Sequence, residues 1–159
     1  MADVQVKELT PELHDDLMRF FDFSAYADNP HWASCFCTFF LARNGDEHEA
    51  HTKAENRATR STVIRSGAGN GLVAFRLGRA VGWCHAAPKS ELPLLASWDP
   101  RNAAETKIAV EAHPRLVSED DPQLWPRRNY HGPLSMYVRA GFRETTRNES
   151  SITVRRELV

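Results

Sequence analysis

The run from Asn129 to Phe142 constrains the fold most, because its punctuation leaves room for one short helix and nothing longer. Gly132 can serve as an N-cap. Pro133 stands where a first-turn proline loses nothing, since its missing N–H would be unpaired anyway. Leu134, Tyr137 and Val138 follow at helical spacing and make one apolar face. Gly141 is placed to end the helix in a left-handed cap, with Phe142 packing back behind it. A helix this short holds the Tyr137 phenol against whatever lies upstream.

The rest of the chain divides by the same logic. Val4 to Leu9 alternates apolar and polar as a half-buried strand does. Thr10-Pro11-Glu12 opens a helix, with Thr10 as N-cap and Leu13, Leu17, Phe20 and Phe21 on one face. Residues 24–41 are rich in aromatics and turn formers and predict a packed loop with one helical turn. Asp46 to Ser66 predicts one polar helix, stopped by Gly67-Ala68-Gly69-Asn70-Gly71. Leu72 to Arg76 and Arg79 to Ala86 make a hairpin around Leu77-Gly78, and Pro88 ends its second strand. Ser90 to Lys107 is the least regular part, with a short helix opening at Asp99-Pro100. Ile108 to Ala112 is a strand broken by Pro114. Phe142 to Thr146 and Ile152 to Leu158 form a closing antiparallel pair.

At 159 residues, one domain spanning 1–159 with a real core is expected. Hydrophobic content of 42% and charged content of 26% fit a soluble protein. A net charge of −1 gives no pull toward nucleic acid or an anionic membrane. No apolar run is long enough to span a bilayer and no leader pattern is visible. Three cysteines make a disulfide framework improbable, so a cytoplasmic setting is expected.

Three segments, in order, resemble one bacterial branch of the GNAT N-acetyltransferase superfamily. They are Asn29-Pro30-His31-Trp32-Ala33-Ser34-Cys35-Phe36-Cys37, Val81-Gly82-Trp83-Cys84-His85-Ala86-Ala87-Pro88, and the Asn129–Phe142 run. The resemblance implies an α+β fold: a mixed, mostly antiparallel sheet flanked by helices. It also implies transfer of an acetyl group from acetyl-CoA to a small-molecule amine. One piece of the pattern is missing. The family grips the CoA pyrophosphate with an Arg/Gln-x-x-Gly-x-Gly/Ala turn that opens a helix, where successive N–H groups cradle the anion. Gly67 to Gly71 precedes a strand, so its geometry is wrong for that task. One central strand–helix unit, roughly 30 residues, is absent between Pro88 and Ile108, and Ala103 to Lys107 resembles the tail of the lost helix. The strand ending at Ala86 must then pair directly with Ile108 to Ala112 or leave an open edge. A homodimer would cover such an edge.

The resemblance assigns roles, each with a plainer alternative. Tyr137 matches the general acid that protonates the departing CoA thiolate, and a phenol suits this because its pKa lies near that of a thiol; it also fits as a half-buried core tyrosine. Glu111 and His113 alternate on a strand and so share a side. Either could take a proton from an amine, or both could be a surface pair before Pro114. Trp83 and His85 share a face of the hairpin strand, suiting an acceptor pocket or simple packing. Asn129, His131 and Ser135 would lie near the acceptor or the pantetheine arm, or act as capping groups. Cys35-x-Cys37 with His48 and His51 has the donor types of a tetrahedral zinc site, but the cysteines belong to the resemblance, so no metal is expected. Two functions follow: a reduced N-acetyltransferase, or a GNAT-derived protein that no longer binds acetyl-CoA. The second would act as a small-molecule binder, a partner subunit or an enzyme of different chemistry.

Overall fold

Leu77 and Gly78 close the hairpin on which the first half of the chain is built. Their φ angles of 52° and 73° give the left-handed turn whose twist matches that of the flanking strands. The computed structural model describes residues 3–27, 30–98, 109–112, 134–149 and 152–157. They fall into two compact units, Met1–Ala104 and Glu105–Val159. Both mix helix with antiparallel sheet, so the α+β class holds.

In the first unit, β2 (Gly71–Arg76) lies between β1 (Val4–Glu8) and β3 (Arg79–His85), all antiparallel. Ala74 faces Gly82 while Phe75 faces Ala80, so Val81 is the extra residue of a bulge. Val73 and Phe75 point into the core, where Leu17, Met18 and Phe21 of α1 (His14–Phe23) and Ile64 of α3 (Lys53–Arg65) meet them. Tyr26 and Phe36 complete the cluster from the intervening loop.

Several expectations change here. β1 alternates as predicted, yet every residue in it is exposed. The reason is register: Gln5 and Lys7 pair with Phe75 and Val73, so the valines take the face away from the core. Lys7 lays its ammonium 5.1 Å from the centre of the Phe75 ring instead. Thr10 makes no side-chain cap, and Pro11–Leu13 is a 3₁₀ turn leading into α1. Residues 24–41 contain two such turns, Pro30–Trp32 and Phe39–Leu41. The single polar helix is in fact two, α2 (Gly45–Ala50) and α3, broken at His51. Thr52 and Glu55 form a capping box there: the Glu55 N–H donates to the Thr52 hydroxyl at 3.2 Å, and the Thr52 N–H donates to the Glu55 carboxylate at 2.7 Å. α4 (Pro93–Trp98) adds helix where irregular chain was expected; the helix foreseen from Asp99 lies outside the described residues.

In the second unit, β6 (Ile152–Glu157) is central, flanked by β4 (Ala109–Ala112) and β5 (Arg143–Arg147), again antiparallel. Ile152 and Val154 are its buried residues. The foreseen helix is α5 (Leu134–Arg139). Among the described residues β3 pairs only with β2 and β4 only with β6. No helix among the described residues is long and apolar enough to cross a membrane.

Candidate functional site

Asn56, Arg60 and Ile64 recur every four residues on α3 and all three are buried. That spacing places a guanidinium on the face that packs into the core. Arg60 has no exposed surface. Its Nε donates to the Phe36 carbonyl oxygen at 3.0 Å, and one Nη donates to the Cys37 carbonyl oxygen. Phe36 and Cys37 stand at φ 47° and 55°, a left-handed conformation that costs about 1–2 kcal/mol per non-glycine residue. Asn56 holds the same loop, donating to the Ser34 carbonyl at 2.9 Å and accepting from the Thr38 hydroxyl at 2.8 Å. Two consecutive strained residues are thus fixed by two buried side chains of one helix.

Trp83 and His85 reach this place from β3. Their rings stack, with centroids 5.8 Å apart and planes 21° from parallel. The Arg60 guanidinium carbon lies 5.6 Å from the Trp83 ring centre, within cation–π range. Phe21 meets Trp83 edge-on. Gly71, opposite His85, admits this packing: a Cβ there would lie 2.3 Å from the Cys84 carbonyl oxygen and 2.4 Å from the indole. The Tyr26 hydroxyl lies 3.7 Å from the Cys37 sulfur.

The electrostatics follow from burial beside a fixed positive charge. Burial first, and the Arg60 charge second, hold His85 down to about 4, so its imidazole is neutral at physiological pH. Burial pushes the Tyr26 phenol and the Cys35 thiol up. Two donors remain over: Nη1 of Arg60 and Nε1 of Trp83 are buried with no acceptor among the described residues. Such groups are uncommon in folded proteins and call for an explanation. The cluster therefore combines a permanent cation, a neutral imidazole and two N–H groups without an acceptor. Chemically it offers N–H donors of the type an oxygen acceptor needs, beside a neutral imidazole.

The expected Trp83–His85 pair is brought together, in the first unit. Tyr137, Ser135 and Glu111 belong to the second. Tyr137 is half-buried at the last turn of α5. The Phe142 N–H donates to its carbonyl at 3.0 Å and the Gly141 N–H to that of Val138 at 3.0 Å, with Gly141 at φ 83°. This is the bonding pattern of a Schellman cap. The Phe142 ring packs edge-on against Tyr137 at 5.4 Å, and an Arg156 Nη donates to the Ala140 carbonyl at 2.7 Å. Ser135 is exposed. Glu111 lies opposite Arg155 in the strand register. His113, Asn129 and His131 lie outside the described residues.

The Cys-x-Cys and the two histidines do not converge. Cys37 faces Tyr26, whereas His48 packs edge-on against Phe39 and His51 ends α2. Among the described residues no group of three or more His, Cys, Asp or Glu side chains is placed to hold a metal ion. Sequence reasoning missed Arg60. Its signal was the four-residue spacing to Ile64. Comparison with family models, with curated proteins and with solved structures returns no match for the chain.

Proposed function

We propose that the chain is a shortened GNAT-like protein whose cluster of Trp83, His85 and Arg60 binds a small molecule bearing an oxygen acceptor, without the family's grip on acetyl-CoA. The observation that carries this is the pair of buried donors, Arg60 Nη1 and Trp83 Nε1, with no acceptor among the described residues. A carboxylate or carbonyl oxygen would satisfy them, and burial would strengthen each bond. The missing Gly-rich pyrophosphate turn argues against CoA, because several backbone contacts are lost together. The antiparallel hairpin with its stacked Trp83 and His85, and the capped helix bearing Tyr137, support descent from the acyltransferase scaffold.

A second reading keeps the transferase activity. Tyr137 stands half-buried on a helix whose end is fixed by the Gly141 cap, as a general acid for a CoA thiolate would need. Acetyl-CoA would then be the donor and a small amine the acceptor.

Thermal shift separates the two. A ligand at 100 times its dissociation constant stabilises the fold by about 2.7 kcal/mol. The first reading expects a shift with small carboxylates, lost in Trp83→Phe, and none with acetyl-CoA. A shift with acetyl-CoA that survives Trp83→Phe and disappears in Tyr137→Phe overturns it in favour of the second.

A further inference from the structure

We propose that Ser61, His14 and Asp15 form a nucleophile, base and orienting carboxylate that hydrolyse small carboxylic esters. The site is separate from the one around Trp83 and His85 and does not depend on it. An Asp15 carboxylate oxygen lies 2.7 Å from His14 Nδ1, and His14 Nε2 lies 2.8 Å from Ser61 Oγ. A carboxylate beside Nδ1 keeps the proton there. Nε2 is then the lone-pair nitrogen that faces the Ser61 hydroxyl, with the Arg65 Nε 3.3 Å away. The Ser61 hydroxyl is left with a base at hydrogen-bond distance, and that base with an orienting group behind it. These are the geometric roles by which nucleophilic hydrolases are recognised, whatever their fold or chain order.

The two helices build this arrangement. His14 and Asp15 open α1, while Ser61 and Arg65 sit four residues apart on α3 and share a face. Further along the same helix pair, Arg57 grips Asp22 with two bonds of 3.0 and 2.8 Å. That bidentate pair fixes the register in which His14 meets Ser61. The His14 side chain is 13% exposed, sheltered yet reachable. A cleft of about 260 Å³ opens beside it, lined by Pro11, Glu12, His14, Asp15 and Arg65.

The chemistry balances with water as the only co-reactant. Ser61 Oγ attacks the ester carbonyl carbon as its proton passes to His14 Nε2. The Arg65 guanidinium, which also lines the cleft, supplies positive charge to stabilise the developing oxyanion. The carbon–oxygen bond to the leaving alcohol breaks, and His14 returns the proton to that alcohol. Water then attacks the acyl-Ser61, giving a proton to His14 Nε2; the acyl carbon–Oγ bond breaks, His14 returns that proton to Ser61 Oγ, and the acid is released. Asp15 is a positioning residue, acting through His14.

The test treats the full chain with a fluorophosphonate probe and with 4-nitrophenyl acetate. The expected result is one phosphonate adduct, mapped by mass spectrometry to Ser61. His14→Gln should slow labelling by about 100-fold, the low end of what a general base supplies. Asp15→Asn should slow it and Asp15→Glu partly restore it, with melting temperatures unchanged. Ester turnover should fall in the same order. Failure to label Ser61 overturns the proposal, as does labelling indifferent to His14→Gln. If His14→Gln does not fold, adduct mapping on the unaltered protein and the Asp15 variants decide.

Discussion

Arg60 reaches from the middle of α3 to the carbonyls of Phe36 and Cys37, and it is a buried cation with no carboxylate partner among the described residues. It takes the place of a turn-forming glycine: the loop keeps its left-handed residues because a rigid fork of N–H groups holds both carbonyls.

Replacing that fork should be costly. Arg60→Met leaves two carbonyls without their donor, and each unmatched buried group is worth about 1–3 kcal/mol. A loss of about 3 kcal/mol is expected in urea unfolding. Arg60→Lys should recover little of it, because an ammonium cannot span both carbonyls in a plane. A lysine variant as stable as the original would show that only the charge matters.

His85 makes a pH-dependent contribution whose sign is fixed by its depressed pKa, about 4 against the ordinary 6.5 of a histidine. The unfolded chain binds the proton more readily, so stability contributed by the neutral imidazole is full above 6.5. It is lost as pH falls from 6.5 toward 4, with a slope approaching 1.4 kcal/mol per pH unit. Denaturation series across this window should show the slope in the original chain and lose it in His85→Gln.

Leu77 is 81% exposed and holds φ 52° at the hairpin tip. Asparagine tolerates that conformation far better. Leu77→Asn should raise stability by about 0.5–1 kcal/mol, read as a higher melting temperature with unchanged far-UV dichroism.

Thr52 and Glu55 cap α3 reciprocally. Thr52→Ala should lower stability by about 1 kcal/mol. The same substitution at Thr10, whose side chain caps nothing, should be nearly neutral, which makes it the internal control.

These four sites also show what the sequence discloses. The Leu77-Gly78 hairpin, α1 and the Gly141 stop were legible because each depends on neighbours within a few residues. Their turn, capping and periodic signals are local. The break at His51 was missed: Thr52-x-x-Glu55 carries its signal, but two polar helices in a row conceal it. Arg60 was hidden for a different reason. An arginine in a polar helix is usually solvated, and only the long-range arrival of Phe36 and Cys37 makes this one internal. β1 shows the same limit: its alternation was visible, but which face met the core depended on its register against β2. Ser61 and His14 lie 47 positions apart, so no motif could have joined them.

The tethering of the 34–38 loop to α3 has a kinetic corollary. The amides of Cys35 and Thr38 close short turns, at 3.0 Å each, that ordinarily open to solvent within moments. Here Asn56 and Arg60 bind those turns to a helix of 13 residues. Deuterium should therefore enter the loop only when α3 itself unravels, so that the two segments exchange as one cooperative block.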